Sequence, residues 1–324
     1  MAQQPSNQNF KYRWQPRKHD TWNIPACSIF SLRSFRYTDH RKIMKKLFFF
    51  LLIATVFEQP ESLAQTAVMP YHLNPLREAI CGGSGMAISL APFLIKPPQK
   101  FLDIWEVSQL NTHDVNFMDR GVTNNRSLPL RATSRTLPVV SGLAGLATLV
   151  ISPVFISSGN QRLKDAATLG LIYLEGVLWS QGLAFGANTW INRPKPFVYN
   201  NNLPMEQRVF QNNNASFFSK RSCFTFYNGG FFCLAVKDIF NDKRLTLYSS
   251  LIFGSLALGT TVTEIAAGEH FTTDVITGAA VGLVSAYFTL WVHRDKAKQN
   301  AFEIYPVSNG YYQGISLIYK PIVQ

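Results

Sequence analysis

Apolar residues are concentrated in five long segments of the chain, and short polar turns separate these segments. Several of them approach the roughly 20 residues that a membrane-spanning helix needs. Small residues recur within them, and the pair Gly278 and Gly282 has a spacing that allows close contact between helices. The pattern predicts an all-α fold, a multi-helix membrane bundle, with helices at residues 138–157, 166–187, 225–240, 247–267 and 274–292.

Acidic residues within these segments leave one alternative open. Glu175, Asp238 and Glu264 interrupt the apolar runs, so the helices could instead form the core of a soluble bundle. For a membrane protein, the basic short connections at 161–164, 241–244 and 293–298 would lie in the cytoplasm. The helix ends that carry residues 188–223 and 264–274 would then face outward. We therefore expect a multi-pass protein of a bacterial inner membrane, with these ends on the periplasmic side.

The sequence predicts a helical domain over residues 137–295. The regions on either side of it have different patterns. Residues 65–136 are predicted to form an outward-facing connector region, in which the apolar stretch 79–95 does not span the membrane. Residues 296–324 form a tail. Within it, residues 301–320 alternate aromatic and polar side chains around Ser308-Asn309-Gly310, which predicts a short β-hairpin with a type I′ turn.

The first 64 residues combine a basic leader with a second N-terminal signal. Residues 1–43 carry eight Lys or Arg against two Asp, and they supply half of the formal net charge of +12. Residues 44–64 then show the pattern of a secretory signal, with two lysines, an apolar core at 47–57 and a small-residue cleavage site at Ser62-Leu63-Ala64. Either Met44 is the true start and the signal is cleaved, or the leader is a cytoplasmic arm and the segment is a retained anchor.

The cysteines and the charge exclude some classes of site. None of the four cysteines lies in a CxxC or a mixed Cys/His spacing, so the sequence predicts neither a zinc site nor a disulfide framework. We expect no metal and no cofactor. Because the excess positive charge is concentrated in the leader, we expect no nucleic-acid partner for the helical domain. The oligomeric state is left open.

Three polar blocks occur at the predicted outer helix ends. The first is residues 188–197, which closes a helix and contains Arg193, Lys195 and Pro196. The second is residues 216–222, which opens the next helix. The third contains His270 followed one helical turn later by Asp274, at the start of the last apolar segment. A carboxylate at that spacing can orient an imidazole, which suits a histidine that accepts a phosphoryl group.

Taken together, the three blocks resemble the type 2 phosphatidic acid phosphatase and vanadium haloperoxidase superfamily over about residues 105–295. The family pattern is KxxxxxxRP, then PSGH, then SRxxxxxHxxxD. The resemblance implies that His270 attacks phosphorus and that Asp274 fixes its ring. It also implies that the histidine of the second block protonates the leaving oxygen. The Lys, the two Arg and the Ser hydroxyl of the pattern hold the phosphate oxygens, as positioning and charge stabilisation require.

This sequence departs from the family pattern at most of the other positions. Ser219 and Pro196 match. The changed positions are Asn188 for the Lys of the first block, Lys195 for its Arg, Lys220 and Arg221 for the Gly and His of the second, and Thr263 and Glu264 for the Ser and Arg of the third.

The departures point to impaired catalysis. Arg221 stays protonated at ordinary pH and cannot act as a general acid, and loss of such an acid typically costs roughly 10²–10⁴ in rate. Glu264 puts a negative charge where the family has a phosphate clamp. Arg193, Lys195, Ser219, Lys220 and Arg221 could still bind a phosphate without cleaving it.

The sequence is therefore compatible with three functions. The first is a membrane protein of this family, catalytically impaired, that binds a lipid phosphate or a membrane partner. The second is an active phosphatase for lipid phosphates or isoprenyl pyrophosphates, a hydrolase with a phosphohistidine intermediate. The third is a structural membrane scaffold with no phosphate affinity.

Overall fold

The computed structural model describes residues 69–95, 102–209 and 213–294 with their side chains, and the backbone of two further strands. The basic leader 1–43 and the signal segment 44–64 lie outside the described residues, so both remain expectations. The same holds for residues 309–312, which contain the predicted turn of the hairpin.

The described chain is a bundle of long helices, as the apolar pattern predicts. The long helices are α1 (Pro75–Leu94), α4 (Leu128–Ile156), α5 (Asn160–Trp190), α7 (Lys220–Phe240), α8 (Lys243–Ala266) and α9 (Thr272–His293). Short helices lie between them: α2 (Ile104–Gln109), α3 (Phe117–Arg120) and α6 (Met205–Arg208), with 3-10 turns at Thr112–Asp114 and Pro196–Tyr199.

Helix α4 begins earlier than the apolar pattern predicts. The Ser127 hydroxyl accepts a hydrogen bond from the backbone N–H of Leu130, so Ser127 caps a helix that begins at Leu128. The first turns of the helix, before residue 138, are polar and are helical nevertheless, so Pro138 lies inside the helix and not at its start. Hydropathy alone therefore places the start of this helix too late, because the cap and not the apolar run defines it.

Helix α1 lies in the region that was expected to be an outward-facing connector. It packs along α5, with Trp179 Nε1 donating to the carbonyl of Cys81 at 3.0 Å. Glu78 near its start contacts His293 at the end of α9, whereas Ile95 just after it accepts a hydrogen bond from Trp190 at the end of α5. These contacts lie at opposite ends of the bundle. The helix therefore runs along the height of the bundle. It is not among the described helices that are long and apolar enough to cross a membrane, and that residues 79–95 do not span it stays a prediction.

Helix α7 occupies the centre of the bundle and packs against α4, α5, α8 and α9. Its closest neighbour is α9, where the predicted glycine pair faces it. A Cβ on Gly278 would lie 2.6 Å from the carbonyl oxygen of Ser219, and a Cβ on Gly282 would lie 2.3 Å from that of Cys223. Only glycine allows the two backbones to approach this closely, so the pair sets the contact between α7 and α9.

Three helices among the described residues are long and apolar enough to cross a membrane. They are α4, α8 and α9. Their outer faces expose large apolar side chains, including Val139, Leu251, Leu258 and Val284. Burial of such faces in lipid is favourable, whereas exposure of so many to water is not. The chain is therefore a membrane protein, and the alternative of a soluble bundle is set aside.

Two antiparallel strands follow the helices. They are β1 (Phe302–Ser308) and β2 (Gln313–Tyr319), and Ser308 pairs with Gln313. The predicted hairpin is therefore present. The type I′ turn itself stays a prediction, because residues 309–312 lie outside the described residues.

The loops and short helices gather at one end of the bundle, where α4, α7 and α9 begin and α5 and α8 end. We call this the site end. Two small apolar clusters pack these loops together. One contains Val107, Phe197 and Val198, and the other contains Val115, Val122 and Phe271. The clusters fix residues 102–127 and 191–209 against the turn that carries His270.

Candidate active site

The three polar blocks of the sequence meet at the site end. Lys195 follows α5, Ser219 caps the start of α7, and His270 lies in the short turn between α8 and α9. The Ser219 hydroxyl accepts from the backbone N–H of Ser222 at 3.0 Å, which is why α7 begins there. Gly268 has a φ of +70°, and a Cβ there would lie 2.0 Å from the carbonyl oxygen of Asn125. This glycine therefore lets the turn approach the loop that precedes α4.

His270 is buried and held in one orientation. Its Nδ1 lies 2.7 Å from the carbonyl oxygen of Ser216, so Nδ1 carries the proton and donates it to that carbonyl. Burial lowers the pKa of His270 well below 6.5, and the positive charges of Lys195 and Arg221 lower it further. The ring is therefore neutral at physiological pH, with its lone pair on Nε2. A neutral imidazole with a free Nε2 is the form that a nucleophilic histidine needs.

Asp274 does not form the contact with His270 that the resemblance implies. The distance from His270 Nδ1 to Asp274 Oδ2 is 3.9 Å, which is too long for a hydrogen bond. The carboxylate is instead bound by the Ser216 hydroxyl, by Arg193 and by the backbone N–H of Phe271 at 3.0 Å. Asp274 thus positions Ser216, and the Ser216 carbonyl positions the ring.

Arg193 belongs to this supporting network and not to the cationic group around His270. Its guanidinium binds Asp274, the Thr273 hydroxyl at 2.9 Å and the Asp119 carboxylate at 2.7 Å, and it stacks over the Phe271 ring at 4.3 Å. Asp119 also accepts the backbone N–H of Thr273 at 2.9 Å. These contacts already engage the guanidinium on two sides, which argues against the predicted role of Arg193 in phosphate binding.

Asp119 was missed by sequence reasoning. Burial by itself would raise the pKa of its carboxyl, but hydrogen bonds from Thr273 and Arg193 outweigh burial and the pKa is lowered. The residue lies on the four-residue helix α3, in the stretch that was read as a connector. Its only sequence signal is Asn116, which caps that helix and donates to Asp119 at 2.6 Å.

Glu264 occupies the centre of the site. Its carboxylate is fully buried, accepts a hydrogen bond from the Ser219 hydroxyl and pairs with Arg221 Nη1 at 2.9 Å. One of its oxygens lies 3.8 Å from His270 Nε2. Two of the groups predicted to bind phosphate are therefore bound to a carboxylate of the chain itself, directly beside the nitrogen that would attack phosphorus.

A second carboxylate, Glu269, collects the other cations and was also missed by sequence reasoning. It pairs with Arg131 Nε at 2.7 Å, with Lys195 Nζ at 3.2 Å and with Arg126 Nη1 at 3.5 Å. Burial opposes its ionisation, but the charges of Lys195 and Arg131 outweigh burial, so its pKa is lowered. Lys195 has a lowered pKa because it is buried, and Glu269 offsets only part of that effect. The arginines before α4 were visible in the sequence, but only as a scatter of charge.

Two of the changed family positions have structural roles. The side-chain amide of Asn188 donates to the backbone carbonyls of Phe218, Ala184 and Phe217 at 2.7, 2.9 and 3.1 Å, so it ties the end of α5 to the loop before α7. The Thr263 hydroxyl bonds back to the Gly259 carbonyl of its own helix at 2.7 Å.

Comparison with known families gives a match over part of the chain. Residues 169–298 match the model of the PAP2 superfamily. Over these residues the chain is similar to the PAP2 superfamily, which is consistent with the resemblance seen in the three sequence blocks. The match begins within α5 and covers less than half of the chain. No curated protein and no solved structure shows significant similarity to the chain.

The matched segment and the residues before it contribute together to the site. His270, Ser219 and Lys195 come from the matched residues, whereas Arg126 and Arg131 come from the loop and helix that precede them. Lys220, the first residue of α7, is exposed, and its Nζ lies 5.5 Å from the centroid of the Phe185 ring. Among the described residues, the cations that contact the two carboxylates outnumber them: Arg126, Arg131, Lys195 and Arg221 against Glu264 and Glu269. The site retains an excess of positive charge.

Proposed function

We propose that this PAP2-family membrane protein binds phosphate-bearing lipid headgroups at the site end and does not hydrolyse them at a normal rate. The observation that carries the proposal is the Arg221–Glu264 pair. It places a permanent cation where the family has its acid and a carboxylate next to the nucleophilic nitrogen. The rest of the site keeps a neutral histidine and a positive surplus.

Two residues, Arg221 and Glu264, impair hydrolysis in different ways. Arg221 cannot protonate a leaving oxygen, because a guanidinium does not release its proton in this pH range. The Glu264 carboxylate also repels an incoming phosphate. Because Arg221 offsets part of the charge of Glu264, this repulsion is smaller than the about 4 kcal/mol between two bare unit charges at about 4 Å and an effective dielectric constant near 20. Both effects act on the transition state for attack by His270.

Binding is supported by the charge balance and by the helix start. A phosphate at the start of α7 would meet the exposed Lys220 and the N-terminus of the helix, where backbone N–H groups and the helix dipole favour an anion. To reach Ser219 and Arg221 it would have to compete with Glu264. The site therefore favours ligands with more negative charge than one carboxylate.

The distribution of basic residues supports an orientation with the site outside the cell. Arg162 and Lys164 lie at the start of α5, Lys243 and Arg244 at the start of α8, and Arg294 at the end of α9. All of these positions are at the bundle end opposite His270. The tendency of cytoplasmic loops to be basic puts that end in the cytoplasm, and the site on the outer side, which in a bacterial inner membrane is the periplasm.

The proposal is tested by lipid binding to the purified full chain in nanodiscs. We expect phosphatidic acid to bind in preference to phosphatidylcholine, and inorganic phosphate to compete weakly. Glu264→Gln should tighten binding by roughly tenfold or more, because it removes the competing charge. Lys220→Ala should weaken it severalfold, whereas Lys164→Ala, the same change at the opposite end, should have no effect.

The same experiment separates the other functions. If neither the wild-type chain nor Glu264→Gln distinguishes the two lipids, the protein is a scaffold and the binding proposal fails. An active phosphatase is favoured by one observation, the neutral and oriented His270, and it would be detected as phosphate release during the binding assay.

A further inference from the structure

A second cluster of ionisable side chains lies at the bundle end opposite His270. It contains Glu78 from the first turn of α1, Glu175 from α5 and His293 from the last turn of α9. His293 and Glu175 are almost completely buried, and one atom from each of the three side chains lies within 4.8 Å of the others. His293 Nε2 is 2.7 Å from Glu78 Oε2 and 3.1 Å from Glu175 Oε2.

The other contacts of His293 define its tautomer. Its Nδ1 lies 2.7 Å from the backbone carbonyl oxygen of Thr289, and a carbonyl can only accept a hydrogen bond. Nδ1 therefore carries a proton. In a neutral ring Nε2 then has a lone pair, which points at the oxygens of two carboxylates. That arrangement is repulsive unless a positive charge lies between the three groups.

One added proton does not satisfy all of these atoms. If Nε2 is protonated, its single N–H is directed at Glu78, which is the closer carboxylate and the one with hydrogen-bond geometry. Glu175 Oε2 still accepts no hydrogen bond from any described residue, although the Glu175 side chain is only 4% exposed. A buried carboxylate oxygen without a partner is costly.

We propose that Glu78, Glu175 and His293 bind a divalent transition-metal ion of the Zn²⁺ class. An imidazole nitrogen with two carboxylate oxygens is a ligand set that such ions take, with ligand distances of about 2.0–2.2 Å. Ligands at those distances lie roughly 3.0–3.5 Å apart, so the 3.1 Å separation fits and the 2.7 Å separation must open by a few tenths of an ångström. The ion also balances the charge of the two carboxylates.

The hydrogen-bond partners of His293 and Glu78 are those expected around a metal site. The Thr289 carbonyl accepts Nδ1–H of His293, which is how proteins commonly orient a metal-bound histidine. The other oxygen of Glu78 accepts from Arg77 Nε at 3.1 Å and from the backbone N–H of Asn74 at 2.9 Å, so Oε2 is left to the cluster. The metal would join α1, which lies outside the PAP2 match, to α5 and α9 within it.

Sequence reasoning predicted no metal because the three ligands are far apart in the chain and include no cysteine. The proposal is independent of phosphate binding, since the cluster and the site end are at opposite ends of the bundle.

The test is metal binding to the tag-free full chain after treatment with EDTA and buffer exchange. With Zn²⁺ as the probe, we expect one ion more per chain than in Glu175→Gln or His293→Gln, and a rise in the melting temperature that those two variants lose. With Co²⁺ as the probe, we expect visible absorption bands of a low-coordinate site with a nitrogen ligand. The Co²⁺ spectrum needs no variant, so it remains informative if a substitution prevents folding.

The controls are Glu206→Gln and His113→Gln, which change exposed residues of the same types and should bind as the wild-type chain does. Equal metal content in the wild type and in both cluster variants, or no Co²⁺ spectrum in the folded wild type, would overturn the proposal. The cluster would then be held by protons shared among the three side chains.

Discussion

At the scale of single residues, the site is defined by where two carboxylates lie. Glu264 binds Ser219 and Arg221, and Glu269 binds Lys195 and Arg131, so each carboxylate neutralises part of a cationic pocket. The changes at 221 and 264 are complementary, since an arginine and a glutamate replace a histidine and an arginine of the family pattern. The pair explains why the protein tolerates a buried glutamate at this position.

The first prediction at this scale concerns pH. Burial and neighbouring cations lower the pKa of His270 below its ordinary value of 6.5, so below that pH the unfolded chain binds a proton that the folded chain does not. Stability linked to His270 is therefore complete above about pH 6.5 and is lost as the pH falls. We expect His270→Gln to flatten the decrease in melting temperature between pH 7 and pH 5, and His113→Gln to leave it unchanged. An unchanged slope in His270→Gln would contradict the burial of a neutral ring.

The second concerns Asp119, which binds Arg193 and Thr273. Asp119→Ala leaves Arg193 with one carboxylate partner and removes an acceptor from the start of α9, so it should lower the free energy of unfolding by about 3 kcal/mol. The control is Asp114→Ala, an exposed residue nearby, which should cost less than about 0.5 kcal/mol. Equal effects of the two substitutions in a denaturation series would show that the Asp119 network is not structural.

At the scale of elements, the apolar pattern predicted the cores of most long helices, because lipid-facing and buried residues are both apolar there. It did not predict that a helix over 75–94 packs along α5. Arg77, Glu78, several glycines and Pro92 lower the hydropathy of α1, and its partner is α5, which is far away in sequence. The glycine pair on α9 was the clearest element-level signal, and the structure shows the close backbone contact that it predicts.

A substitution in that pair gives the prediction for this scale. Gly282→Ala would place a methyl carbon 2.3 Å from the Cys223 carbonyl oxygen, so α7 and α9 must separate. We expect a loss of about 1–3 kcal/mol in the free energy of unfolding, the usual cost of overpacking. Gly254→Ala on α8 has open space around it and should be neutral or slightly stabilising. A neutral Gly282→Ala would mean that the two helices are not in close contact.

At the scale of the whole molecule, the structure brings the three sequence blocks together at the same helix ends, and the function of these ends as a site stays a prediction. The blocks could not predict that Asp119, Arg126, Arg131 and Glu269 lie at the same helix ends. Folding of the loop before α4 onto the turn after α8 brings these residues together, and no periodicity in the sequence reports that contact. The sequence also gives no sign of the contact between Arg193 and Asp119, since Asp119 lies 74 positions earlier in the chain.

The most direct test of the central claim is phosphate release from phosphatidic acid and from isoprenyl pyrophosphate by the purified protein. We expect no release by the wild-type chain above the level of His270→Ala. The double change Arg221→His, Glu264→Arg, which restores two family residues, should give measurable release that a further His270→Ala abolishes. Release by the wild-type chain that His270→Ala abolishes would show a working phosphatase and would contradict the proposal that Arg221 and Glu264 impair hydrolysis.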